Sequence, residues 1–253
     1  MRVTVCQLPD PVDEFERAWT ELVEHARGSD LVVLPELPFH PWVAWTDQYD
    51  PATWDAAVSS HDEWVRRLSD LGAGAVAGSR PVRTASGAGH NRAFIWDRGQ
   101  VTDGHDKYYL PEEPGFWEAT WYSRGDGTFD AMSLGEQRVG FLLCTEMWFT
   151  DRAREYARQG VQLLLTPRVT EPTGVDKWIA GGRSAAVMSG AFSLSSNRMG
   201  SNHGVDFGGA GWVIDPDGAV LATTTLADPV VTVDIDLTLA DAAKLTYPRY
   251  VEE

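Results

Sequence analysis

The sequence predicts a single α/β domain spanning residues 1–253, and three observations carry that expectation. Helix-like and strand-like segments alternate along the chain, several strands are apolar throughout, and no stretch reads as a linker. With 253 residues, 43% of them hydrophobic, the chain is long and apolar enough to build a sizeable core. It shows neither an internal repeat nor a low-complexity tract.

"RVTVCQL" at 2–8 is β-rich and alternating, and gives the first strand. A helix follows, with Asp10 as a possible cap, Pro11 in its first turn and Gly28 as its stop. Phe15, Ala18, Trp19, Leu22, Val23 and Ala26 recur at helical spacing and form one apolar face. "DLVVLPE" at 30–36 is wholly apolar before its end, as expected of a central strand parallel to the first. A helix over about 53–70 and the strand "GAVAGS" come next. The stretch 90–107 reads as a hairpin turning at Arg98-Gly99, and 127–144 as a second hairpin. Beyond them lie a helix at about 150–159, the strand "VQLLLTP", a helix at about 174–189 and the strand "AFSLSSN". The final third reads as β, with a hairpin at Pro216-Asp217-Gly218.

A formal net charge of −16 repels phosphate backbones, so it argues against nucleic acid and anionic membranes as partners. Two cysteines, Cys6 and Cys144, make no disulfide framework. The start "MRVTVCQL" has no signal-peptide pattern, and no apolar run approaches the roughly 18 residues that span a bilayer. These points give the expectation of a soluble protein of a reducing cytoplasm. His25, His40, His61, His90, His105 and His203 are scattered without metal-ligand spacing. A phosphate-binding G-x-x-x-x-G-K-[ST] is absent, so no metal or other cofactor is expected.

Three polar residues end three predicted strands: Glu36 in "VVLPELPF", Lys107 in "GHDKYY" and Cys144 in "VGFLLCTEMWF". Each alone has an ordinary reading, as a loop carboxylate, a surface lysine and a buried core thiol. Sites in open α/β sheets gather at the carboxyl ends of strands, so the three can converge.

The wording around these residues resembles the nitrilase superfamily of carbon–nitrogen hydrolases, whose members share a Glu–Lys–Cys triad. "LPE" at 34–36, "DKYYLPEEPGFWEATWYSRGDG" at 106–127 and "GFLLCTEMWF" at 140–149 match its glutamate, lysine and cysteine motifs. "SSNRMG" at 195–200 and "GGAGWVIDPDG" at 208–218 match two further stretches, in the right order. The resemblance implies a four-layer α-β-β-α sandwich with two mixed β-sheets, paired at least as a homodimer. It implies Cys144 as nucleophile, Glu36 as general base and then acid, and Lys107 as the cation that favours the thiolate. It also implies Glu118, eleven residues after Lys107, as a supporting carboxylate, with Glu112 and Glu113 as alternatives. The Thr145 backbone N–H would share the oxyanion with Lys107.

The chain departs from the family pattern at Thr145, where an aromatic is common, and at Thr150, where Pro is frequent. It departs again at Arg168, where small or hydroxyl residues are usual, and it lacks the long tail of filament-forming members. The "LPEEPGFWEATWY" loop and Trp148 look most like the N-carbamoylputrescine branch. Met147 and Trp148 stand where carboxylate-binding members tend to carry Arg, which argues against a carboxylate there. Trp117, Met147, Trp148 and Arg168 are the expected substrate contacts, and Glu112 and Glu113 are candidates to receive a cation. Trp42, Trp45 and Trp121 are further candidates for an apolar wall. The expected substrate is a small linear amide or N-carbamoyl amine, with a nitrile as the alternative. A non-catalytic binding role is the remaining possibility, and the intact Glu36, Lys107, Cys144 and Glu118 argue against it.

Overall fold

The computed structural model describes residues 1–251. Strand β1 (Arg2–Pro9) leads into helix α1 (Val12–Ala26), which turns Phe15, Trp19, Leu22 and Ala26 inward as their spacing predicts. Pro11, not Asp10, stands at the N-cap. The Asp10 carboxylate is buried and paired with Arg198, so a tertiary contact takes the group that capping would need. Strand β2 (Leu31–Val33), helix α2 (Pro51–Val65) and strand β3 (Ala75–Arg83) follow. The helix expected over 53–70 is α2 plus a separate 3₁₀ turn at Leu68–Leu71. Asp50 caps α2 by accepting from the N–H groups of Ala52 and Thr53. Strands β4 (Gly89–Asp97) and β5 (Gln100–Asp106) form the predicted hairpin. Arg98 and Gly99 both take positive φ, as a two-residue hairpin turn with the right twist requires.

The chain continues through α3 (Glu118–Trp121), β6 (Met132–Leu134), β7 (Gln137–Phe141), α4 (Thr150–Arg158), β8 (Leu163–Pro167) and α5 (Val175–Ser189). Its last third is mostly β, as expected: β9 (Phe192–Asn202), β10 (Val205–Phe207), β11 (Trp212–Ile214), β12 (Val220–Thr223) and β13 (Val230–Asp234). Helix α6 (Thr238–Ala243) closes it. Elements as short as α3, β10 and α6 hold too few residues to show a period in sequence.

The strands form one connected network in the order β5-β4-β3-β2-β1-β9-β8-β7-β6, and the fold is mixed α/β. β2 lies parallel to both β1 and β3, as its apolar run predicts. β1 and β9 join the two halves of the path, pairing in parallel only through Gln7–Pro9 and Asn197–Met199. The halves face each other across one core that includes Val3, Val33 and Ile95 from one side and Phe141, Leu165 and Leu194 from the other. Val32 and Val76 point the opposite way, into a second core with Phe15, Trp19 and Leu22 of α1. Leu164 and Trp212 do the same toward Tyr156 of α4 and Ala185 of α5. Strands buried on both faces explain why these segments read as continuous apolar runs rather than alternating ones.

The same arrangement gathers strand ends. The Glu36 N–H donates to the Arg168 carbonyl just past β8 (3.2 Å), and the Leu142 N–H past β7 donates to Leu165 (2.9 Å). Gly140 of β7 lies under the Tyr156 ring, where an added Cβ would meet ring atoms at 2.9 Å. That ring is pinned, because its hydroxyl accepts from the Phe141 N–H (3.2 Å) and donates to the Phe141 carbonyl (2.9 Å). Gly140→Ala is expected to destabilise the protein by about 1–3 kcal/mol in chemical denaturation. An unchanged midpoint would show that α4 yields to the extra methyl.

Candidate active site

Cys144 follows β7 at the start of a 3₁₀ turn (Cys144–Trp148) and takes φ +50. A non-glycine residue in that region carries backbone strain of order 1–3 kcal/mol and must be held there by its surroundings. Glu146 does much of the holding. Its wholly buried carboxylate accepts from the Leu143 N–H (2.9 Å), the Tyr108 N–H (2.7 Å) and His105 Nε2 (2.8 Å). One side chain thus ties the turn before Cys144 to the residues on either side of Lys107. Burial pulls His105 down, but Glu146 outweighs it and holds the imidazole above its ordinary value.

Lys107 leaves the end of β5 with its N–H on the Asn91 carbonyl (2.8 Å). Its ammonium is fully buried, 2.7 Å from Glu36 Oε1 and 2.6 Å from Glu118 Oε2. Asn91 Nδ2 also donates to Glu36 Oε1 (2.7 Å), and the Tyr122 hydroxyl donates to Glu118 Oε2. The second oxygens, Glu36 Oε2 and Glu118 Oε1, are buried without a hydrogen-bond partner. Burial alone would push Lys107 down, yet Glu118, Glu36 and Cys144 together hold it well above the usual ammonium range. Two carboxylates competing for one ammonium cannot both be fully satisfied. Burial, with Glu36 nearby, raises Glu118 to about 8 despite the pull of Lys107.

The Cys144 thiol donates to the Val169 carbonyl at 3.5 Å. Burial first, then Glu36, pushes it up to about 12, and Lys107 opposes them without prevailing. Lys107 thus acts in the expected direction, toward the thiolate, but against burial and Glu36. Glu36 Oε2, nearby, is a buried acceptor with no hydrogen-bond partner among the described residues.

Cys144, Glu118 and Thr145 open onto a cavity of about 380 Å³. Trp148 and Trp178 form an aromatic wall, with ring centroids 4.9 Å apart. Glu113, Glu171 and Lys177 supply charge to the lining, and the Lys177 ammonium lies 5.4 Å from the Trp148 ring centroid.

Other expected contacts fall elsewhere. Met147 is buried in the core under α5, where Gly181 leaves room for its methyl, and it is not part of the cavity wall. Trp117 packs with Trp42 and Trp121 in a separate cluster, its N–H on the Ala44 carbonyl (2.8 Å). Trp45 stacks on His203. Glu112 turns away to bond the Thr120 N–H (3.0 Å), which leaves Glu113 facing the cavity. Arg168 is buried behind Trp178 rather than in the wall. Sequence reasoning missed the supports: Asn91, Tyr122, His105, Glu146 and Arg198. Arg198 Nε donates to the Glu36 carbonyl (3.0 Å) and its guanidinium also binds the Leu37 and His40 carbonyls. Tyr122, Glu146 and Arg198 did stand within matched motifs, the one signal that could have found them.

The chain belongs to the carbon–nitrogen hydrolase family, whose profile matches residues 2–245, and it is an enzyme of that class. Among its relatives, it is 28% identical over 235 residues to 2-oxoglutaramate amidase of Bacillus subtilis (strain 168), covering 90% of this chain and 86% of the relative. It is 25% identical over 220 residues to N-carbamoylputrescine amidase of Arabidopsis thaliana, covering 78% and 72%. Its fold is similar to that of a carbon–nitrogen hydrolase from Helicobacter pylori G27, with a TM-score of 0.85, 21% identity and 98% and 94% coverage. An amidase from Nesterenkonia sp. matches with a TM-score of 0.75, 24% identity and 95% and 92% coverage. Among the described residues, no helix is long and apolar enough to cross a membrane.

Glu118 gives a signed test. The folded protein holds its proton more tightly than the unfolded chain, since its value rises from 4.5 to about 8. Its favourable contribution is therefore complete below about pH 4.5 and is lost as pH rises through about 8. Gln imitates the protonated carboxyl at every pH. The stability of the parent relative to Glu118→Gln is expected to fall from pH 5 to about pH 8 and to level off above it, measured by thermal unfolding. A difference independent of pH would contradict the raised value.

Proposed function

We propose that this enzyme hydrolyses the C–N bond of a small linear amide or N-carbamoyl amine through a thioester on Cys144, releasing ammonia. One observation carries the reading: a thiol in a strained turn, lining a cavity, beside a buried ammonium shared by two carboxylates. Glu36 takes the proton from Cys144 Sγ as the sulfur attacks the carbonyl carbon. The electron pair of the C=O moves to oxygen. Lys107 and the Thr145 N–H, among the first N–H groups of the 3₁₀ turn, stabilise that oxyanion. The intermediate collapses, Glu36 returns its proton to the leaving nitrogen, and ammonia departs. Glu36 then deprotonates water, which attacks the thioester and frees the acid and the thiol. Glu118 keeps Lys107 oriented throughout.

The cavity is at the small end of ligand sites, which supports a small substrate. Relatives that are amidases support an amide over a nitrile. Trp148 and Glu113, with Glu171 and Lys177, are the contacts that would select the substrate's far end. The shared inner core flanked by two helix-covered cores supports the four-layer α-β-β-α arrangement over a single domain. Exposed Leu245, Tyr247 and Tyr250 support a homodimer.

Turnover should be assayed against N-carbamoylputrescine, ω-amides, short aliphatic amides and nitriles. Ammonia with carbon dioxide marks an N-carbamoyl substrate, and ammonia alone an amide or a nitrile. Cys144→Ala is expected to lose turnover by at least about 10³-fold while staying folded, and Cys6→Ala to retain it. Turnover surviving in Cys144→Ala would refute the mechanism.

A further inference from the structure

His105 faces a hydrogen-bond acceptor at each ring nitrogen. Nδ1 lies 2.9 Å from the Thr128 carbonyl oxygen, and Nε2 lies 2.9 and 2.8 Å from the two oxygens of Glu146. A neutral imidazole has one N–H and one lone pair, so it serves only one of these neighbours and turns its lone pair on the other. An imidazolium donates to both. The two side chains are 2% and 0% exposed, and His105 is the ion-pair partner of Glu146 among the described residues. A neutral ring would leave that carboxylate buried with no counter-charge, which is costly.

The pair also holds backbone on three segments. Glu146 Oε1 accepts the Tyr108 N–H (2.7 Å), beside Lys107, and Oε2 accepts the Leu143 N–H (2.9 Å), beside Cys144. Thr128 belongs to the stretch that leads from α3 to β6. Cys144 keeps φ +50 only while its surroundings hold it there. The imidazole ring further packs on Phe129, with ring centroids 4.3 Å apart.

We propose that His105 is a positioning residue that works only as an imidazolium: its second proton keeps Glu146 on the Leu143 and Tyr108 N–H groups, and turnover falls when rising pH removes it. The proposal rests on the reading of Cys144 and Lys107 given above. Burial opposes the charge on His105, but the bond to Glu146 outweighs it, so the proton is lost only above the ordinary value of a histidine. The other charges around the ring do not replace Glu146. Asp106, on the same strand, is held by Arg92 (2.7 and 2.8 Å), with His90 at 3.7 Å. The Asp126 carboxylate accepts the Thr128 N–H (2.9 Å) and hydroxyl (2.7 Å), and Arg152 of α4 lies over the Phe129 ring, 4.7 Å from its centroid. Asp103, Arg124 and Asp130 share with His105 the lining of a second cavity of about 600 Å³. That lining includes none of Glu36, Lys107, Glu118 and Cys144, so a substrate against Cys144 leaves His105 free to titrate.

Two measurements on the parent and on His105→Gln form the test. One is an NMR titration of the His105 ring and of the Leu143 and Tyr108 amides. The other is the pH profile of kcat and of kcat/KM on whichever amide is turned over. At about pH 6.5, where an unperturbed imidazole is half neutral, both His105 nitrogens should be predominantly protonated. As the ring loses its proton, the two amide signals should shift with it. Parent kcat and kcat/KM should both fall at that same pH, because bound substrate does not cover His105. Titration of Glu118, inside the substrate's cavity, would instead place the two falls at different pH values. Gln donates one N–H at every pH, so His105→Gln should lack the step and be slower than the parent by about 10- to 100-fold below it. A step that persists in folded His105→Gln, or that lies apart from the ring titration, overturns the proposal. If His105→Gln does not fold, the parent decides alone: coincidence of ring, amides and step upholds the proposal, and separation overturns it. A parent that turns over nothing refutes the reading of the site itself. In that case the Leu143 and Tyr108 amides decide the clamp separately, by moving with the ring or staying fixed.

Discussion

The Lys107 ammonium sits wholly out of water between Glu36 and Glu118, and three separate chain segments must meet for that to happen. A buried ammonium with its carboxylates removed would cost about 3–5 kcal/mol, so the trio enforces its own assembly once the strands are in register. The same trio is unequal by charge, with two acids for one base and a thiol alongside. Burial, together with that imbalance, raises Glu118 to about 8 and Cys144 to about 12. In the mechanism proposed above, that imbalance would store the nucleophile as a thiol until Glu36 accepts its proton.

The fold supplies the register. β1 and β9 touch only over Gln7–Pro9 and Asn197–Met199, yet that seam fixes one half of the strand path against the other. Arg198 extends from it to bind the Glu36 backbone carbonyl, with Asp10 as its counter-ion. Glu146 performs the matching task for Lys107 and Cys144, through the Tyr108 and Leu143 N–H groups. Each clamp is a buried carboxylate paired with a buried base, and each acts on backbone rather than on reacting atoms. Their effect on rate would come through angstrom-scale placement of the thiol, the ammonium and the carboxylate.

Glu36, Lys107, Cys144 and Glu118 were legible because each lies in a recognisable motif near a strand or helix end. Most of the supports were not, because their meaning depends on distant partners; Tyr122 is the exception, four residues from Glu118. His105 and Glu146 are 41 residues apart, and Asn91 and Glu36 are 55 apart. Met147 and Trp148 illustrate a different limit. Successive residues of a 3₁₀ turn point about 120° apart, so one enters the core and the other the cavity, and residue type alone does not say which. Asp10 was misread for a related reason: a capping carboxylate and a buried counter-ion look identical in sequence.

The rate of Cys144 carboxamidomethylation by iodoacetamide, followed against pH in the parent and in Lys107→Met, tests the central claim most directly. If the buried ammonium is what favours charge on the sulfur, Lys107→Met should slow labelling by about tenfold or more at neutral pH, the effect of a shift of one unit or above. It should leave Cys6 unreactive, since Cys6 is wholly buried and, unlike Cys144, does not line the cavity. Equal labelling rates at Cys144 in a folded Lys107→Met variant would contradict the account.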